Sequence, residues 1–255
     1  MSKIISIFNQ KGGVGKTTTS VNLCAGLALS KKSVLSIDFD PQGNTTSGLG
    51  FDKNSIEHSI YDCLMSDNID VNDVILQTKI KGLDIIPSNI QLSGAEIELS
   101  DTKTRENTLK LVIENINKEY DYIIIDCPPS LGLLSINSLT ASNSVIIPIQ
   151  CEYYSLEGVG QLLSTIKLVN KSYNKSLVIE GVLLNMFDGR TNLSIQVVEE
   201  VKKYFKNKVY RTVIPRNIRL AEAPSYGEPI MLYDDKSKGS IAYRKLAKEV
   251  IKNNK

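Results

Sequence analysis

The chain of 255 residues has few of the side chains that hold transition metals or build hydrolase triads. It contains one histidine, His58, and four cysteines, none of which forms a CxxC pair. This spacing argues against a zinc or iron–sulfur site within one chain, and a single histidine argues against a Ser–His–Asp hydrolase. We expect the cysteines to be small buried hydrophobes in a reducing cytosol, with a cluster shared between two subunits as the alternative.

Long apolar segments are also missing. No run approaches the roughly 18 apolar residues that span a bilayer. The first apolar run is short, and polar residues 9–11 interrupt it, so we expect neither a signal peptide nor a stable association with a membrane. Thirty basic and 28 acidic residues give a formal charge of only +2. A nucleic-acid site would therefore depend on local clustering of charge.

Short apolar, β-branched runs alternate with longer helix-like stretches. The runs predict seven strands, at 4–8, 34–38, 83–86, 122–126, 145–149, 178–184 and 209–214. Apolar periodicity predicts helices at 17–29, 104–118, 156–170, 194–205 and 241–252. This alternation predicts a doubly wound α/β domain with a mainly parallel sheet of about seven strands and helices on both faces. We expect one domain over residues 1–255, with a ligand crevice at the carboxyl ends of the strands.

The strongest local signal is a glycine-rich segment between the first predicted strand and the first predicted helix. Its residues are Lys11, Gly12, Gly13, Val14, Gly15, Lys16, Thr17 and Thr18. Glycines let backbone N–H groups converge on phosphate oxygens, and the helix N-terminus adds positive potential. The pattern predicts that Lys16 reaches the β- and γ-phosphates and that the Thr17 hydroxyl binds Mg²⁺.

Two acidic strand ends follow the phosphate loop. The second strand runs into Asp38 and Asp40, and the apolar run 122–125 ends in Asp126, a Walker B pattern. Where the ordinary phosphate-loop pattern has glycine, the chain has Gln10, and Lys11 stands directly before the glycine pair. This segment resembles the deviant Walker A motif, KGGxGK[ST], of the group that includes ParA, MinD, nitrogenase iron protein and ArsA.

Within that group the chain resembles the ParA/Soj partitioning ATPases over almost its whole length. The resemblance is carried by DPQGN at 40–44, CEYYSLEG at 151–158, DGRTNL at 188–193 and IPRNIRLAEAPS at 214–225. It implies that Lys11 acts on the partner subunit's nucleotide, that Asp40 orients the attacking water and supports Mg²⁺, and that Asp126 holds Mg²⁺ through water. It also implies the short form of the family, without an N-terminal helix-turn-helix domain.

The base expected in the site is adenine. No NKxD motif for guanine is present, and Asn185, at the end of the sixth predicted strand, has a donor and an acceptor that could pair with adenine N6 and N1. Asparagine is also common in turns at strand ends, which is the alternative interpretation. By resemblance, the segment containing Pro215 and Asn217 packs on the base. ATP with Mg²⁺ is therefore the expected ligand.

The segment from Arg190 to Arg219 is locally basic. Eight basic residues against two acidic ones give +6, compared with +2 for the whole chain. Such a patch suits sequence-independent contacts with DNA phosphates, although the lysines at 202, 203 and 206 could equally form a solvated helix face. The family resemblance assigns DNA contacts to Arg190 and Arg219.

The resemblance implies a cycle in which the protein binds ATP, a second copy of itself, DNA and a ParB-like protein. ATP closes a homodimer, the dimer binds double-stranded DNA without sequence preference, and a ParB-like, centromere-bound protein stimulates an otherwise slow hydrolysis. The expected location is the cytoplasm, on the nucleoid. The alternative is a MinD-like membrane-associated ATPase, which would end in an amphipathic lipid-binding helix. Residues 241–255 lack Phe and Trp, and we expect this helix to pack on the domain instead.

Overall fold

The structure, a computed structural model, describes residues 2–66, 68–152 and 158–254. Its centre is a sheet with the spatial order β3-β4-β2-β5-β1-β6-β7-β8. The strands are β1 (Lys3–Ile7), β2 (Val34–Asp38), β3 (Leu76–Gln77), β4 (Leu83–Ile86), β5 (Tyr122–Asp126), β6 (Ser144–Gln150), β7 (Val178–Phe187) and β8 (Val209–Pro215). The mainly parallel, doubly wound sheet is confirmed.

Within the described residues the sheet has eight strands, one more than the seven runs that the sequence displays. The missed strand, β3, has two residues and pairs antiparallel with β4 at the edge of the sheet. So short a segment has no periodicity for a sequence to display. The seven predicted strands are all present, and their pairings with one another are parallel.

Helices cover both faces of the sheet. They are α1 (Lys16–Leu29), α2 (Asn44–Gly48), α3 (Ile60–Met65), α4 (Val71–Val74), α5 (Leu92–Glu98), α6 (Thr108–Glu114), α7 (Leu133–Ala141), α8 (Val159–Ser172), α9 (Asn192–Phe205), α10 (Arg219–Glu222), α11 (Ile230–Tyr233) and α12 (Lys238–Asn253). Helix α6 is shorter than the predicted 104–118. The predicted start of α8, at 156, lies outside the described residues.

Alternate residues of the central strands enter two separate cores. In β5, Ile123 and Ile125 pack into one apolar cluster, whereas Tyr122 and Ile124 pack into the other. Because successive side chains of a strand point to opposite faces, both faces of the sheet are dry. This double burial explains the nearly continuous apolar runs that predicted the strands.

The last helix, α12, packs against α1 and β8 as expected. Its apolar residues Tyr243, Leu246, Ala247 and Val250 are buried in the core. Gly26 of α1 permits the close approach, because a Cβ there would lie 3.0 Å from the Cβ of Ala247. The apolar face of α12 is therefore occupied by the domain itself.

Three neighbouring strands bring the predicted site together. In the parallel register, Asp126 at the end of β5 is paired with Ile7 of β1 and with Asp38 of β2. The phosphate loop leaves β1, and the segment containing Asp40 leaves β2. The carboxyl ends of adjacent strands meet at one edge, so the three predicted motifs converge there.

Candidate nucleotide site

The phosphate loop joins β1 to α1 through glycines in left-handed conformations. Gly13 has φ of 75° and Gly15 has φ of 88°, a region that favours glycine. The loop is anchored from outside: the Asn9 amide donates to the carbonyl of Pro148 at 2.7 Å and accepts from the backbone N–H of Lys11 at 3.0 Å. Among the described residues no side chain caps α1, which leaves its first N–H groups available to an anion.

Lys16 is held inside the site. Lys16 lies at the start of α1, and only 7% of the residue is exposed. Its Nζ donates a hydrogen bond to the Lys11 carbonyl at 3.4 Å. Burial lowers the pKa of this ammonium, while the nearby charges of Asp126 and Asp40 act in the opposite direction. A buried cation beside carboxylates is suited to neutralising phosphate charge. Lys11, in contrast, is exposed.

Asp126 is fully buried at the centre of the site. Its Oδ1 accepts a hydrogen bond from the Ser20 hydroxyl at 3.0 Å, and its Oδ2 accepts one from the Thr45 hydroxyl at 2.8 Å. Burial raises the pKa of this carboxyl to about 6, against the opposing hydrogen bonds from Thr45 and Thr17. Thr17 and Asp126 thus place hard oxygen ligands, which Mg²⁺ prefers, next to each other.

Asp38 and Asp40 perform different structural tasks. Asp38 is fully buried, and its Oδ2 accepts from the backbone N–H of Thr46 at 2.8 Å and from the Thr46 hydroxyl at 2.7 Å. Burial, followed by the charge of Asp126, raises the pKa of Asp38 to about 7. Asp40 begins the turn into α2. Its Oδ1 accepts from the Gln42 N–H, and its carbonyl accepts from the Ser88 hydroxyl at 2.9 Å.

A cavity of about 460 Å³ opens beside the start of α1. It is lined by Gly15, Thr18, Asn185, Met186, Ile214, Pro215, Arg216, Asn217, Ile218, Leu220, Ala221 and Tyr243. The three residues predicted to contact the base, Asn185, Pro215 and Asn217, therefore share one cavity with the phosphate loop. A mostly apolar wall with a few polar groups is typical of a site for an aromatic base.

Within the described structure, the Asn185 side-chain amide leaves only its oxygen without a hydrogen-bond partner. Its Nδ2 donates to the carbonyl of Val14 at 2.9 Å and to the Thr19 hydroxyl at 3.3 Å. Its Oδ1 is buried and has no hydrogen-bond partner within the described part of the chain. The sequence predicts that this amide both donates to adenine and accepts from it. Because its NH₂ group already donates within the protein, only its oxygen is left to accept a hydrogen bond from the base. An orphaned acceptor fits a ligand that carries an amino group.

The two predicted DNA-contacting arginines lie outside this cavity and are paired with acids. Arg190 donates to both carboxylate oxygens of Asp188, at 2.9 and 2.6 Å, and its side chain is 88% exposed. Arg219 donates to Glu222 at 2.9 Å and lies 3.6 Å from Asp234. The Arg190 pair depresses the pKa of Asp188 below its ordinary value.

Several residues of the site carried no signal in the sequence. Ser20, Thr45 and Thr46 are ordinary helix residues until the fold places them against Asp126 and Asp38. Thr19 is fully buried and contacts Asn185 across 166 positions of the chain. Residue spacing along the sequence indicates motif positions but not such tertiary partners.

The ranges that the structure describes offer no candidate metal cluster and no candidate membrane span. No group of three or more His, Cys, Asp and Glu side chains there could hold a metal ion. No helix within those ranges is long and apolar enough to cross a bilayer. Cys24, Cys127 and Cys151 are buried and Cys63 is partly buried, and burial raises the pKa of each thiol to about 12.

Comparison with known proteins agrees with the sequence resemblance. The family model AAA_31, an AAA domain, matches residues 2–179. The chain is 64% identical over 253 residues to the sporulation initiation inhibitor protein Soj of Bacillus subtilis, covering 99% of this chain and 100% of that one. It is 50% identical over 252 residues to the chromosome partitioning protein ParA of Myxococcus xanthus, covering 99% of this chain and 89% of that protein.

Solved structures show the same fold with nucleotides bound. A Mycobacterium smegmatis protein described as cobyrinic acid a,c-diamide synthase, with ADP and magnesium, has a TM-score of 0.87 at 37% identity, covering 99% of this chain and 95% of that one. MinD of Pyrococcus horikoshii, with Mg-ADP, has a TM-score of 0.81 at 29% identity, covering 98% and 96%. ATP with Mg²⁺, expected from the sequence, is confirmed at the level of the family. The chain belongs to the Soj/ParA family of partitioning P-loop ATPases.

Proposed function

We propose that this protein is an ATP-driven DNA partitioning switch. ATP with Mg²⁺ drives two copies into a sandwich dimer, and the dimer binds double-stranded DNA without sequence preference. A ParB-like, centromere-bound protein then stimulates an otherwise slow hydrolysis. The protein works in the cytoplasm, on the nucleoid. The observation that carries the proposal is the buried Lys16 near the charges of Asp126 and Asp40, on a loop whose Gly15 lines a base-sized cavity, in a chain 64% identical to Soj.

The described contacts support a division of labour in ATP hydrolysis. The phosphate loop and Lys16 hold the phosphates, Asn185 and the segment from Pro215 to Asn217 hold the base, and Asp40 orients the attacking water. Thr17, Asp40 and Asp126 would hold Mg²⁺, which supplies charge neutralisation on the phosphates when bound. Lys16 and the loop N–H groups stabilise negative charge on the transferring group without rearranging, because the fold already fixes them.

Lys11 is the residue that makes the proposed dimer functional. Its backbone is anchored through Asn9, whereas its side chain is exposed on the loop that surrounds the phosphates. An exposed cation at this position can reach a nucleotide held by a second copy, as the deviant Walker A resemblance implies. Two nucleotides would then be enclosed between two subunits, with Lys11 of each acting on the nucleotide of the other.

DNA binding is proposed to depend on Arg190 and Arg219. Both are at the surface, and neither lines the base cavity. Dimerisation presents each arginine twice, and contacts on two linked subunits add, so the dimer should bind DNA far more tightly than the monomer. The MinD-like alternative has less support, because the apolar face of α12 is buried against α1.

Dimerisation is tested by separating nucleotide capture from hydrolysis. We expect Asp40→Ala with ATP and Mg²⁺ to elute as a stable dimer in size-exclusion chromatography with light scattering, because ATP is bound but not consumed. Lys16→Ala should remain a monomer, because the phosphates lose their buried cation. A monomeric Asp40→Ala protein that still binds ATP would refute the sandwich dimer.

A further inference from the structure

The orientation of the Asn185 amide is fixed from behind the base cavity. Its Nδ2 lies 2.9 Å from the carbonyl oxygen of Val14, an atom that can only accept. The reversed amide would place two oxygens against each other, so the donor end must face Val14. The acceptor end, Oδ1, is then the one left without a partner among the described residues.

A second contact reinforces this orientation through Thr19 and Tyr243. The Thr19 hydroxyl is 3.3 Å from Asn185 Nδ2 and 3.3 Å from the Tyr243 hydroxyl. Thr19 and Tyr243 are both fully buried, and Asn185 is 2% exposed. Thr19 comes from α1, Asn185 from β7 and Tyr243 from α12, so three separate elements meet at this point.

We propose that Thr19 and Tyr243 are specificity-determining residues that act through Asn185. The three side chains form a base-orienting chain, Tyr243–Thr19–Asn185, which keeps the Asn185 carbonyl available to the ligand. The inference rests on the proposed function, in that the cavity must receive the base of ATP. Thr19 does not line the cavity, so its effect on the base is indirect, whereas Tyr243 lines the cavity and also contacts Thr19.

The chemistry selects a base with an amino group. Adenine presents an N–H donor at position 6, which pairs with a fixed carbonyl, whereas guanine presents an oxygen there, which is repelled. A buried acceptor loses a hydrogen bond when the ligand lacks the donor, so such sites discriminate strongly. If the amide could rotate freely, its NH₂ end could meet the guanine oxygen, and the discrimination would fall.

The test measures dissociation constants calorimetrically, with Mg²⁺, for ATP, GTP and purine riboside triphosphate, which lacks only the amino group. For the wild type we expect ATP to bind at least about ten-fold more tightly than purine riboside triphosphate. Thr19→Val, which removes the hydroxyl at nearly constant volume, should reduce that ratio by about three- to ten-fold. Thr19→Ser, the matched control with its hydroxyl intact, should retain it.

Thermal melting of each variant reports whether it is folded. Should Thr19→Val not fold, Tyr243→Phe takes its place, because it removes the other hydroxyl of the chain and is expected to lower the same ratio. The inference is overturned if the hydroxyl-free variant weakens ATP and purine riboside triphosphate by the same factor, as a purely structural role would. Failure of the proposed function looks different: the wild type would bind no ATP at all.

Discussion

The hydroxyl of Thr45, in the first turn of α2, donates a hydrogen bond of 2.8 Å to Oδ2 of Asp126, at the end of β5. Helix α2 begins directly after the segment that contains Asp40. The contact therefore ties the position of the proposed water-orienting residue to the carboxylate at the centre of the site. Asp38 holds the next residue of α2 in the same way, through Thr46.

Replacement of Thr45 should weaken both the fold and the chemistry. Thr45→Val leaves a buried carboxylate with one hydrogen bond fewer, and we expect the free energy of unfolding to fall by about 1–3 kcal/mol. We also expect kcat to fall, because Asp40 loses a fixed support. Thr45→Ser retains the hydroxyl and serves as the control. Urea unfolding measures the free energy of unfolding, and ATPase assays at saturating ATP measure kcat. If Thr45→Val equals Thr45→Ser in both quantities, the proposed role of the Thr45 hydroxyl is contradicted.

The stability of the ligand-free protein should depend on pH through Asp38. Its pKa in the folded protein is about 7, above its ordinary 3.8, because it is buried and close to Asp126. Folding therefore binds a proton, and this contribution to stability is present at low pH and is lost as pH rises through about 7. Between about pH 6 and pH 8 we expect a loss of about 1 kcal/mol from this group.

Paired urea titrations at the two pH values measure that loss. Asp38→Asn cannot titrate and should show a smaller loss than the wild type, whereas the exposed Asp73→Asn on α4 should show the wild-type loss. The assignment to Asp38 would be untenable if both variants lost stability to the same extent.

Gly15 should tolerate no side chain. Its φ of 88° strains any other residue, and a Cβ there would lie 2.7 Å from Nδ2 of Asn185. We expect Gly15→Ala to cost about 1–3 kcal/mol of stability and to weaken ATP binding. Gly12→Ala is the matched control, because a Cβ at Gly12 meets no heavy atom within 4 Å in the described structure. Equal melting temperatures for the two variants would show that the strain is absent.

Removal of the negative charge of Asp188, which is paired with Arg190, should strengthen DNA binding. Asp188 accepts two hydrogen bonds from the Arg190 guanidinium. Its negative charge would also repel a DNA phosphate that approaches Arg190. We expect Asp188→Asn to raise the affinity of the ATP dimer for random duplex DNA by about two- to five-fold at low salt. Asp73→Asn, which makes the same change of charge near the opposite edge of the sheet, should have little effect. Weaker binding by Asp188→Asn would mean that the pair itself shapes the DNA surface.

The sequence predicted those features that depend on local pattern. Apolar runs predict seven strands, and glycine spacing predicts the phosphate loop. Each of these patterns follows from what the backbone of the element requires. Strand β3 was missed because two residues have no period, and 104–118 was predicted too long because apolar spacing does not show where a helix ends. Thr19 and Thr45 were missed because their roles come from contacts between distant parts of the chain. The direction of the Asn185 amide depends on the same kind of contact.

The most direct test of the central claim is a salt titration of the ATP-bound Asp40→Ala dimer against random-sequence duplex DNA and anionic liposomes, with and without Arg219→Glu. Arg219 is at the surface, paired with Glu222, and does not line the base cavity. We expect the dimer to bind DNA with a steep dependence on salt and to leave liposomes unbound. Arg219→Glu should weaken binding to unrelated sequences by the same factor while dimerisation survives, and each lost phosphate contact should reduce the log–log salt slope by about 0.9. A dimer that sediments with liposomes and ignores DNA at low salt would contradict the partitioning function.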